Sequence, residues 1–254
     1  MTSQGAKRSS RWGRTWPPRV VVEVGTAEGG AGSARAVRDA IDRGGDAIAL
    51  DVMRCRTGEL VVFREHTLAQ VGGGRWDDVA QTPLAALRQI DLGGGARIAL
   101  LAEALAEIAP PTLVDLRLRP SPTSSARERS ELATSAAAVV AQARATDRVL
   151  FAAADGSALD GVPPNAAIAL VVQGMSARAA RPPTRAPNVV ELELPHADRR
   201  TVRRWQSLGA AVHLWPVNTT SQLVLAWSLR VDGVITTDPL GIREAIARLD
   251  RLAG

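Results

Sequence analysis

Tyrosine is absent from this chain, phenylalanine occurs twice and cysteine once. With so few aromatic rings, Ala, Val, Leu and Ile must fill whatever core it has. The lone Cys55 excludes an internal disulfide and a cysteine-clustered metal site, and a reduced, cytoplasmic home is the simplest inference. Lys7 is the only lysine, so arginine carries the positive charge. No apolar run reaches the roughly 18 residues that span a bilayer. None of about 7–15 residues follows the basic N-terminal part, which argues against a secretory signal.

What is present is 254 residues without a long polar linker, a size that fits one large domain with a substantial core. The formal charge of +5 is matched by Lys7, Arg8, Arg11, Arg14 and Arg19, all placed before the first acid, Glu23. The remaining body is near neutral, and no nucleic-acid partner is expected. Residues 1–19, rich in Ser, Gly, Arg and Pro, read as a disordered basic leader. The competing expectation for Trp12, Trp16 and their cations is weak contact with an anionic membrane surface. Residues 20–254 are predicted to form the domain.

Within them, short apolar runs alternate with segments of helical period, the pattern of βα units and a parallel sheet. Strands are predicted at Val20–Val24, Ala47–Val52, Thr112–Leu116, Val149–Ala153, Ala167–Val172, Val189–Leu192, Ala211–Trp215 and Gly233–Ile235. Helices are predicted at Ala34–Arg43, Leu100–Ile108, Ser130–Ala145, Ala197–Leu208, Ser221–Ser228 and Leu240–Leu252. Segments near Leu159 and Ala177 have room for only a turn. Eight strands with helices between them predict an α/β fold, the closed (β/α)8 TIM barrel, with a small insertion at Cys55–Gly95 after the second strand. In such barrels, sites gather at the carboxyl ends of the strands.

Several segments carry a resemblance. They are Gly44-Gly-Asp-Ala-Ile-Ala-Leu-Asp-Val52, Val61-Val-Phe-Arg-Glu-His-Thr-Leu68, Leu113-Val-Asp-Leu-Arg117 and Val231-Asp-Gly-Val-Ile-Thr-Thr-Asp-Pro239. Together they resemble the glycerophosphodiester phosphodiesterase family over roughly residues 20–250. The resemblance implies a barrel in which two histidines flank a phosphodiester and carboxylates hold Mg²⁺ or Ca²⁺ against it. That logic is chemically sound: a hard cation offsets developing charge, and imidazoles move protons near neutral pH.

This chain departs from the motif at the reacting positions. The first histidine falls near Glu23-Val24. The second falls on Arg64, a guanidinium that cannot act as a base. Ala49 stands where the first metal carboxylate belongs, while Asp51 keeps the second and Asp115 shortens the third. Arg117 replaces the family lysine.

The resulting expectation is a barrel that has lost its catalytic set and acts as a binding or interaction module without a cofactor. Its partner would be a phosphodiester or another small anion. The alternative is an active metal-dependent phosphodiesterase of lipid head-group metabolism, with a rearranged site around Asp51, Asp115 and His66. Catalytic candidates are then Arg64, His66 and Arg117; anion-binding candidates are Arg64, Arg117 and Trp215. Metal candidates are Asp51, Asp115 and Glu23. Arg64 and Arg117 paired with these three carboxylates would instead put fixed cations in the metal's place. Trp215 either packs against a ligand or plugs the barrel.

Overall fold

A computed structural model describes residues 11–24, 32–65, 68, 78–174 and 183–253. Its strands are β1 (Arg19–Glu23), β2 (Ala47–Arg54), β3 (Leu60–Val62), β4 (Leu113–Leu118), β5 (Val149–Ala153), β6 (Ala167–Val172), β7 (Val189–Glu193), β8 (Ala211–Trp215) and β9 (Gly233–Thr236). The helices are α1 (Ala34–Asp42), α2 (Leu84–Leu87), α3 (Leu101–Glu107), α4 (Ala126–Gln142), α5 (Arg199–Ser207), α6 (Thr220–Leu229) and α7 (Pro239–Ala253).

Parallel pairing runs β1-β9-β8-β7-β6-β5-β4-β2, and β1 pairs back onto β2, so the sheet closes into an eight-stranded barrel. β3 lies antiparallel on β2. With α2 it forms the expected insertion, which has a small core of its own around Met53, Phe63, Val79, Leu87 and Ile98. After β5 the connection makes only a short 3-10 turn at Gly156–Ala158, as the sequence suggests near Leu159. The turn anticipated near Ala177 lies outside the described residues. Among the described residues no helix is long and apolar enough to cross a membrane.

Period two sorts each strand into two faces. Val20, Val22, Ile48, Leu50, Val114 and Leu116 point outward and pack beneath the helices. The inward face instead carries Ala47, Ala49, Ala152, Ala169 and Ala211. Alanine rows leave axial space that bulky residues ordinarily fill in such barrels.

That space changes the reading of the leader. Trp12 is 1% exposed and packs inside the lower barrel with Val21, Leu113 and Ile235. Its ring lies 6.1 Å from that of His213, and Arg19 stacks over it at 5.3 Å. Trp16 stacks on Trp227 at 4.3 Å, and Arg14 pairs with buried Asp232 at 3.3 Å. Residues 11–18 are thus a floor to the barrel rather than a disordered tail, because the small interior side chains leave room for an indole. Trp12 is correspondingly withdrawn from any membrane surface. Residues 1–10 lie outside the described residues.

Two motif aspartates prove to be architectural. Asp46 accepts the Val20 N–H at 2.8 Å and the Arg243 guanidinium at 2.8 Å. Asp232 accepts the Val212 N–H at 2.9 Å. Both tie the amino ends of neighbouring strands, far from the barrel mouth. Gly233 allows His213 to lie against the backbone, since a Cβ there would stand 2.5 Å from its ring. Gly233→Ala is expected to cost about 1–3 kcal/mol by overpacking, seen as a lowered urea midpoint with an unchanged slope.

Candidate active site

At the carboxyl ends of β1, β2 and β4, inward positions carry Glu23, Asp51, Asp115 and Arg117. Next to them, β7 contributes Glu191, which sequence reasoning passed over. Its signal was a lone acid within the apolar run Val189–Leu192, on the inward register position. Arg119, just past β4 and two residues beyond Arg117, was missed in the same way.

Arg117 is the hub. Its Nη1 donates to Glu23 Oε1 at 2.8 Å, and its Nε lies 3.3 Å from Asp115 Oδ2 and 3.5 Å from Glu191 Oε2. Arg64 Nη1 donates to the other Glu23 oxygen at 3.4 Å. Asp51 pairs with Arg119 at 3.6 Å, rather than directly with Arg64 or Arg117. Three guanidiniums therefore face four carboxyls, with Arg117 and the carboxyls withdrawn from water and Arg64 and Arg119 partly exposed to it.

The titration behaviour follows from that balance. Burial pushes Glu23 up, but Arg117 and Arg64 outweigh it and hold the carboxylate below its ordinary value. At Asp51 burial prevails over Arg117, Arg119 and Arg64, and its pKa is raised. Asp115 is fully buried and is pushed up to about 6, chiefly by burial. Glu191 is raised well above the carboxylate range by burial and by Asp115 beside it. Two adjacent enclosed acids resist ionising together, and Asp115's charge adds to burial in favouring the protonated form of Glu191. The four carboxylates together raise Arg117 despite its burial.

One layer below, His213 is fully buried and faces inward, with neither ring nitrogen hydrogen-bonded. Burial, then Arg19 and Arg117, lowers its pKa to about 3, so it is neutral. Trp215, two residues on, reaches the mouth and lines its cavity. It also packs against the inner barrel cluster, which Trp12 closes from the opposite end. His66 lies outside the described residues.

The cavity occupies about 370 Å³, within the range of small-molecule sites. Asp51, Arg64, Arg117, Arg119 and Glu191 line one side. Arg64 and Arg119 are the accessible cations there, with side chains 37% and 40% exposed. Arg129, from α4, also borders it but is paired with Asp155.

Solved structures with the same architecture include a Silicibacter pomeroyi protein classed as a glycerophosphoryl diester phosphodiesterase. It superposes with a TM-score of 0.83 at 20% identity, over 93% of this chain and 96% of that one. An Oleispira antarctica phosphodiesterase, solved in complex with the product sn-glycerol-3-phosphate, gives 0.78 at 21% identity over 91% and 97%. A glycerophosphodiester phosphodiesterase from Parabacteroides distasonis gives 0.78 at 14% over 92% and 98%. At these identities the likeness is one of fold. A comparison with curated protein sequences found no match. The family model for glycerophosphoryl diester phosphodiesterases matches residues 32–240, and the chain belongs to that family.

Proposed function

We propose that this family barrel binds a small phosphate-bearing anion at its mouth and does not cleave it. The observation that carries this reading is the Arg117 guanidinium seated among Glu23, Asp115 and Glu191. A divalent cation needs about six oxygen ligands in an open arrangement. Here Ala49 offers none, both Glu23 oxygens are taken by Arg117 and Arg64, and Asp115 Oδ2 answers Arg117. Among the described residues no three His, Cys, Asp or Glu side chains form a metal-ligand group. This donor set does not fit Mg²⁺ or Ca²⁺, so no step is assigned to either.

Among the described residues no histidine lines the cavity. Arg64 cannot accept a proton, and neutral His213 is sealed below the carboxyl layer. Binding needs neither metal nor proton transfer. Among the described residues Arg64 pairs with Glu23 and Arg119 with Asp51, and both side chains are partly exposed, which leaves guanidinium N–H groups for charge-assisted bonds to phosphate oxygens. The Oleispira relative's complex with sn-glycerol-3-phosphate supports this ligand class.

Calorimetric titration with sn-glycerol-3-phosphate and inorganic phosphate is expected to give saturable binding, weakened roughly tenfold or more by Arg119→Ala. Glycerophosphocholine is expected to stay intact with Mg²⁺ or Ca²⁺ added. Metal-dependent turnover abolished by Asp51→Ala would overturn the reading in favour of an active phosphodiesterase.

A further inference from the structure

The mouth is divided by strand. Its charges come from β1, β2, β4 and β7, whereas the wall on the β5, β6 and β8 side presents Ala154, Val171 and Trp215, backed by buried Ala153 and Ala158, with Gln173 as its one uncharged polar side chain. On this side Arg129 and Asp155 neutralise one another. The aliphatic members of the wall carry no side-chain donor or acceptor. The Trp215 indole N–H is enclosed and has no hydrogen-bond partner.

From this asymmetry we infer that the ligand is an anionic amphiphile: a phosphate ester whose organic group is an apolar chain lying along the β5–β6–β8 wall. The inference rests on the reading of Arg64 and Arg119 as the anion contacts, and it specifies what the phosphate carries. A polyol such as glycerol would bring hydroxyls against Ala154 and Val171, where they lose water with the Gln173 amide alone to replace it. A hydrocarbon in the same place loses only unfavourable hydration. The 370 Å³ of the cavity suits a single chain. Trp215 adds a flat apolar face to the same wall.

The test is a calorimetric series with ethyl, butyl, hexyl and octyl phosphate, each below its micelle concentration, beside sn-glycerol-3-phosphate and inorganic phosphate. Affinity is expected to rise with chain length by up to about fourfold per methylene until the cavity is full. Octyl phosphate should bind at least about tenfold more tightly than either ethyl phosphate or sn-glycerol-3-phosphate. Ala154→Asp, at an exposed wall position, is expected to cut the octyl-to-ethyl ratio to about threefold or less.

A flat series with phosphate binding intact would overturn the amphiphile alone, as would sn-glycerol-3-phosphate binding tightest. A ratio undiminished in Ala154→Asp would overturn its placement on this wall. Absence of binding by every phosphate compound would overturn the anion site as well.

Discussion

Trp12→Ala is expected to be the most damaging single change to stability, at about 3–5 kcal/mol. For a domain of this size that lowers the melting temperature by roughly 6–20 °C. The indole is 1% exposed and fills axial space that the alanine rows of β2, β5, β6 and β8 leave open. The alanines bordering that space are too short to collapse into the void, so a cavity cost adds to the lost transfer energy. The substitution also takes away the surface on which Arg19 stacks and opens the layer containing neutral His213 to water. Trp12→Phe should recover part of the loss, since a ring of smaller area still blocks the barrel floor. Urea unfolding of both variants checks this; wild-type stability in Trp12→Ala would return residues 11–18 to the status of a leader.

Arg117→Met should be nearly as costly, about 3–5 kcal/mol near neutral pH, because it leaves buried carboxyls without their cation. Its signature is the pH dependence. In the wild type Glu23 lies below its ordinary value, so it adds stability above the unfolded pKa and loses it as pH falls. Asp115, raised to about 6 from 3.8, behaves oppositely. Its contribution is complete below about 3.8 and is lost as pH rises to about 6. Removing Arg117 lets burial prevail at Glu23 too, so every carboxyl of the cluster then prefers its neutral form. The penalty of Arg117→Met should therefore grow as pH rises from about 4 to about 8. Denaturant titrations at both ends of that window measure it, and an equal penalty at each would mean that Arg117 contributes packing alone. Even in that case, methionine's similar length makes a charge effect separable from a cavity effect.

The fold was largely legible beforehand. All eight barrel strands lie where apolar runs of β length occur, and Asp238-Pro239 opens α7 as its residue types suggest, with Asp238 accepting the Gly241 N–H at 3.1 Å. Period two also brought Asp51, Asp115 and Arg117 to one mouth. The site was legible only in part. Glu191 is far in sequence from the motif positions and Arg119 lies just past one, and both announce themselves only through which way their positions face. Trp12 sits in a stretch whose composition is that of a tail, and composition cannot register a cavity formed by strands 35 to 200 residues away.

Taken alone, the sequence determined the closed barrel and the insertion after β2. These are properties of residue type and local period, which each segment carries by itself. Only the tertiary structure decided that Arg117 sits among Glu23, Asp115 and Glu191, that Asp51 answers to Arg119, and that Trp12 closes the floor. Each of those depends on how much space and how much unpaired charge distant strands leave at one point. That sum exists only once the sheet has closed.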